Sequence, residues 1–105
     1  MEEKVSVLIK DPGKKPRHVN ISTSEYNLHK YVGDKFEIFA PCSDAAFISS
    51  IAGYPGVCQN FKMLGHTFYG TVILIGKNET GYCDFPVSFN EAKKIFPELF
   101  DVKGV

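Results

Sequence analysis

The sequence predicts an α+β domain: a mainly antiparallel sheet of about five to six strands with two helices, in the order ββαβββα. Three observations carry this. Short β-branched or alternating runs recur between turn clusters. Two Ser-x-x-Glu spacings each precede an amphipathic stretch. At 105 residues the chain has room for one core, so residues 1–105 are read as a single domain.

The elements follow in order. "VSVLIK" (residues 5–10) is a short apolar strand closed by the turn cluster "DPGKKP". "RHVNI" (17–21) alternates polar and apolar and completes a hairpin. In "STSEYNLHKYVG", Ser22 and Glu25 have capping-box spacing, Tyr26 or Leu28 with Tyr31 and Val32 can form the stripe, and Gly33 is the stop. "DKFEIFA" (34–40) alternates again, which places Phe36, Ile38 and Ala40 on one face.

Residues 44–52 fit either a helix capped by Asp44 or a strand. The strand is preferred because Pro55 and Gly56 suit a tight turn before another extended segment. "VCQNFKMLG" reads as a connection, residues 67–76 as a strand and "YCDFPV" (82–87) as a last strand, on a sheet edge if Pro86 belongs to it. Ser88 and Glu91 cap the closing helix, with Phe89, Ala92, Ile95 and Phe96 as its apolar side and Pro97 ending or kinking it.

Twelve basic and twelve acidic residues leave no net charge. That argues against a duplex nucleic-acid binder, whose affinity comes largely from phosphate neutralisation. It also lowers the barrier to self-association, so a homo-oligomer is expected. Three cysteines without a CxxC pair fit neither a disulfide framework nor a four-cysteine zinc site. His18, His29 and His66 lack the short spacings of metal ligands, so neither metal nor cofactor is expected. "MEEKVSVLIK" is no signal peptide and no apolar run is long enough to span a bilayer. A cytoplasmic protein with reduced thiols is the expectation.

Candidate chemistry narrows to a few stretches. Cys58, near Gln59, Asn60 and His66, could imitate a thiol–histidine pair, or be a small buried hydrophobe. "GHTFYG" has the glycine spacing of a Walker loop, but Thr71 stands where the lysine belongs and a strand follows instead of a helix. Gly70 and Gly76 are read as bends or close approaches. In "DPGKKPR", Lys14, Lys15 and Arg17 could meet phosphate or form a solvated hairpin tip.

The richest segment is "GYPGVCQNFKMLGHTFY". Tyr54 and Tyr69 offer stacking faces, Gln59 and Asn60 offer polar edges, and Lys62, His66 and Arg17 offer groups for phosphate. That inventory suits a nucleotide-like ligand. It equally suits an ordered loop whose polar side chains satisfy backbone groups.

The succession "VLIKDPGKKPRHVNI", a helix ending "YVG", "FEIFA", the "GHTFYGTVILIG" strand and a closing helix resembles a small domain family of unknown function carried by phages and other mobile elements. The resemblance spans roughly residues 5–96 and departs most over "AAFISSIAGYPGVCQNF". It implies a non-enzymatic anti-defence protein in the host cell cytoplasm. Such a protein would act as a sponge, an oligomer that sequesters a nucleotide-derived immune signal, or would inhibit a host defence protein by binding it directly.

Overall fold

The computed structural model describes residues 4–33, 35–51, 59–63, 65–79 and 81–97. Among them the chain forms an α+β domain with seven strands in one antiparallel sheet and two helices. The elements are β1 (Lys4–Lys10), β2 (Arg17–Ser22), α1 (Glu25–Val32), β3 (Phe36–Cys42), β4 (Ala45–Ser50), β5 (Gln59–Met63), β6 (His66–Asn78), β7 (Gly81–Cys83) and α2 (Phe89–Ile95).

β6 is the spine of the sheet. Tyr69 pairs with both Ser50 and Gln59, Leu74 with both Phe47 and Leu8, and Gly76 with both Ala45 and Cys83. So β4 runs along one edge of β6, while β5, β1 and β7 succeed one another along the other. The path β2-β1-β6-β4-β3 ends in β2 and β3, while β5 and β7 each pair with β6 alone. A register shift between Ser49 and Ser50, opposite Gly70 and Thr71, bends this long strand.

Consecutive residues of the central strands are buried on opposite faces. Leu8, Phe47, Phe68, Val72 and Leu74 pack on one side with Ala92 of α2. Val7, Ile9, Ile48, Ile73 and Ile75 pack on the other with Leu28 and Val32 of α1. The two helices therefore cover opposite faces of the sheet. This explains the uninterrupted apolar run at 72–75, because a strand covered on both faces does not alternate. It also explains why residues 45–50, all buried, are a strand.

The hairpin tip is ordered by its own chemistry. Lys14 N–H donates to the Asp11 carbonyl at 3.1 Å, with Pro12 and Gly13 (φ 73°) in the central positions of a type II arrangement. Ser88 caps α2: its hydroxyl accepts from Glu91 N–H and donates to Glu91 Oε1, both at 3.2 Å.

Several expectations are corrected. The cap of α1 is Ser24, which accepts from Asn27 N–H at 3.3 Å. Ser22 instead completes β2, paired with Lys4. Leu28 and Val32 form the buried stripe, whereas Tyr26 is 74% exposed, with the Lys30 ammonium over its ring at 5.0 Å. "QNFKM" is a strand, not a connection, because Phe61 and Met63 alternate into the core despite Asn60 and Lys62 between. β7 ends at Cys83, so Pro86 lies outside it. On β3, Phe36 packs on the α1 side and Phe39 on the α2 side, while Ile38, on the Phe36 face, is 53% exposed. Ile95 is 54% exposed, so Ala92 and Phe96 alone carry the described contacts of that side; the Phe89 side chain lies outside the described set.

Candidate functional site

Where β1 ends, the chain builds a polar joint. Asn60 stands where β5 slips register against β6, so its amide turns away from the ladder. Its Nδ2 donates to the carbonyls of Lys10 and Gly70, both at 2.7 Å. Gly70 takes φ 65° at the bend of β6, which frees that carbonyl to be met from the side. Asn60 thus ties β1, β5 and β6 together. Its buried Oδ1 has no hydrogen-bond partner among the described residues.

Asp11, the next residue, is a second hub. Thr71 Oγ1 donates to Asp11 Oδ1 at 2.7 Å, and Arg17 Nη1 pairs with Asp11 Oδ2 at 3.3 Å. Lys10 buries its stem and sends Nζ to the carbonyls of Lys14 (2.8 Å) and Asp11 (3.3 Å), 5.9 Å from the centre of the Phe61 ring. Burial pushes its pKa down, and the Asp11 carboxylate opposes that shift.

Four of the seven expected ligand residues share one face here. Arg17 pairs with Ile9, which faces the α1 side. Phe68 packs on the α2 side, so Tyr69 and its partner Gln59 face the α1 side. Phe61 likewise faces α2, so Lys62 and its partner Thr67 turn outward with them. Gln59, Lys62 and Arg17 are exposed and Tyr69 is half-buried. With Lys14 and Lys15 exposed at the adjoining tip, the cations of this strip outnumber its carboxylates among the described residues, where Asp11 stands alone.

The other three stand apart. Asn60 is the joint beneath the strip. His66 lies on the α2 side, its ring stacked on Phe39 (centroids 4.7 Å, interplanar angle 12°), with Nε2 3.2 Å from Glu37 Oε1. Tyr54 lies outside the described residues, as does Cys58 of the thiol–histidine reading. Thr71 and Asp11 are the site residues that sequence reasoning missed. They meet across 60 positions, and the only local signal was an aspartate opening a Pro-Gly turn.

A concavity lies apart from this strip, on the α2 side. This cleft of about 430 Å³ has Leu8 and Phe85 among its apolar lining, and His18, Asp84 and Glu91 among its polar lining. Its two carboxylates disfavour an anion. Among the described residues no three His, Cys, Asp or Glu side chains gather as a metal site, and no helix is long and apolar enough to cross a membrane.

Comparison with protein-family models, with curated proteins and with solved structures finds no match to this chain. What the strip can do is therefore read from its own chemistry. An aromatic face, an amide edge, two threonine hydroxyls and several cations lie on it, the kinds of group that an anionic, partly aromatic molecule would need.

Proposed function

We propose that this chain is a non-catalytic binding protein that sequesters a small nucleotide-derived ligand on the strip formed by Arg17, Gln59, Lys62 and Tyr69. The observation that supports this is the chain of contacts Thr71–Asp11–Arg17. It holds the guanidinium of an exposed arginine on the same face as Tyr69, beside Lys14 and Lys15. Tyr69 would stack on the base, Gln59 would read its polar edge, and Arg17, Lys62 and the hairpin lysines would meet phosphate. Capture without turnover fits the sponge role that the resemblance to phage-borne domains implies, and such a role needs slow release.

Calorimetry of the purified chain against cyclic and ADP-ribose-type nucleotides tests the proposal. Binding should weaken with added salt, and Arg17→Ala and Lys62→Ala should each lower affinity about tenfold, as expected for the loss of a charge-assisted contact. No heat from any of these nucleotides would refute it. It would also turn attention to direct binding of a host defence protein.

A further inference from the structure

We infer that the ligand of the strip carries phosphate on both sides of its sugar, as a nucleoside 3′,5′-bisphosphate does, and not a phosphate chain on one side. The inference rests on the proposed function and names the class of nucleotide that the same site takes.

Tyr69 stands in the middle of the strip, and the cations stand beyond it in opposite directions along β6. Two residues before Tyr69 is Thr67, paired with Lys62. Two residues after it is Thr71, whose hydroxyl donates to Asp11 Oδ1 at 2.7 Å, while Asp11 Oδ2 holds Arg17 Nη1 at 3.3 Å. Thr67, Tyr69 and Thr71 keep to one face across the bend, because Phe68 and Val72 both pack on the other. Each step of two residues covers about 7 Å of strand. Lys62 and Arg17 therefore meet opposite ends of a ligand whose ring lies on Tyr69. The Arg17 end stays cationic despite Asp11, because Lys14 and Lys15 are exposed beside it.

Across the sheet, the flanks of Tyr69 are unlike its ends. On one flank is its partner Gln59, a neutral amide. On the other is its partner Ser50, whose hydroxyl donates at 2.7 Å to the carbonyl of Val32, the last residue of α1. The carboxyl end of a helix carries partial negative charge, which repels phosphate. Phosphate is thus drawn along β6 and not across it. A nucleotide with both phosphates on one side of its sugar serves one end and leaves the other cation unmatched. A 3′,5′-bisphosphate serves both.

Calorimetry of the wild-type chain with two isomers, adenosine 3′,5′-bisphosphate and adenosine 5′-diphosphate, tests this at equal base and equal phosphate count. The bisphosphate should bind at least about tenfold more tightly, the gain from one further charge-assisted contact. In Lys62→Ala, at an exposed position, the two isomers should bind alike. If the diphosphate binds the wild-type chain as tightly as the bisphosphate, or more tightly, the inference falls and the proposed function stands. A preference that survives Lys62→Ala would also overturn it, since that preference would come from overall charge. Heat from neither isomer would overturn the inference, and the proposed function falls with it if the cyclic and ADP-ribose-type nucleotides are silent too.

Discussion

Gly76 is where the packing leaves least room, and replacing it with alanine gives a sharp test of the fold. A Cβ built on Gly76 overlaps the carbonyl oxygen of Asp84 and lies 2.9 Å from its carbonyl carbon and 3.0 Å from Cys83 Sγ. The first two atoms are backbone, so no side-chain rotation relieves the clash. The segment that must move is pinned on the far side: Phe85 N–H donates to the Ser6 carbonyl at 2.8 Å, and Ser6 N–H donates to Asp84 Oδ1 at 2.7 Å. Overpacking of this sort costs about 1–3 kcal/mol. Weakening the two pinning hydrogen bonds adds about 1 kcal/mol each. Lower entropy of the unfolded chain returns roughly 0.4–1 kcal/mol, since alanine is stiffer than glycine. The net loss is about 2–5 kcal/mol, which lowers the melting temperature by roughly 10–30 °C for a domain of this size. Thermal denaturation followed by circular dichroism measures it. A Gly76→Ala variant that melts within about 3 °C of wild type would refute the close approach of β7 to β6.

Other consequences follow from the polar groups. Asn60→Ala leaves the Lys10 and Gly70 carbonyls without their donor and should cost about 1–3 kcal/mol in urea unfolding; an unchanged midpoint would show that water serves both carbonyls equally well. Gly70→Ala forces a side chain into φ 65° and should cost about 1–2 kcal/mol by the same measurement, with no loss if the bend is absent. Ser88→Ala removes the cap of α2 and should cost about 1 kcal/mol, a loss that Ser88→Asp should largely recover. Burial raises the Tyr82 pKa above 10.0, so the unfolded chain ionises first and stability should fall as pH climbs from 10.0 towards the folded value. Tyr82→Phe should abolish that fall in urea titrations at alkaline pH. Lys10 acts oppositely: with its pKa lowered from 10.5, stability should rise with pH between the folded value and 10.5, and Lys10→Met should remove the rise.

Features set by neighbours in the chain were legible in the sequence, and features set by distant partners were not. The β1–β2 hairpin, the strand read at 67–76 and the Ser88 cap each declare themselves within a few residues. Alternation on β3 was also legible. That both alternates meet a core was not, because Phe36 packs on the α1 side while Phe39 is held by Phe47 and Phe68 from other strands. The α1 cap went to Ser24 over Ser22 because pairing with Lys4 draws Ser22 into β2, a tertiary cause. β5 carries only two inward residues, too few to stand out, and becomes a strand by lying against β6. At the site, residue types were legible and their grouping was not. Arg17 joins Tyr69 through Asp11 and Thr71, and His66 is drawn off by Phe39 and Glu37 on a strand 29 positions earlier.

The bend at Gly70 links fold and strip. Along one edge β6 must serve β4, and along the other it must pass from β5 to β1. A straight strand would keep one register throughout, whereas the shift between Ser49 and Ser50 lets the β5–β6 hairpin diverge from β1. Divergence opens the gap that the Asn60 amide spans, and it places Tyr69 and Thr71 on either side of the bend, one towards Gln59 and the other bonded to Asp11. Under the proposed function, substitutions at Gly70 or Asn60 should therefore change stability and ligand affinity together. A substitution at Lys62, exposed and beyond the joint, should change affinity alone. A Gly70 or Asn60 variant that lost stability yet bound normally would mean that the strip does not depend on the joint. The cations at the hairpin tip would then be the whole of the site.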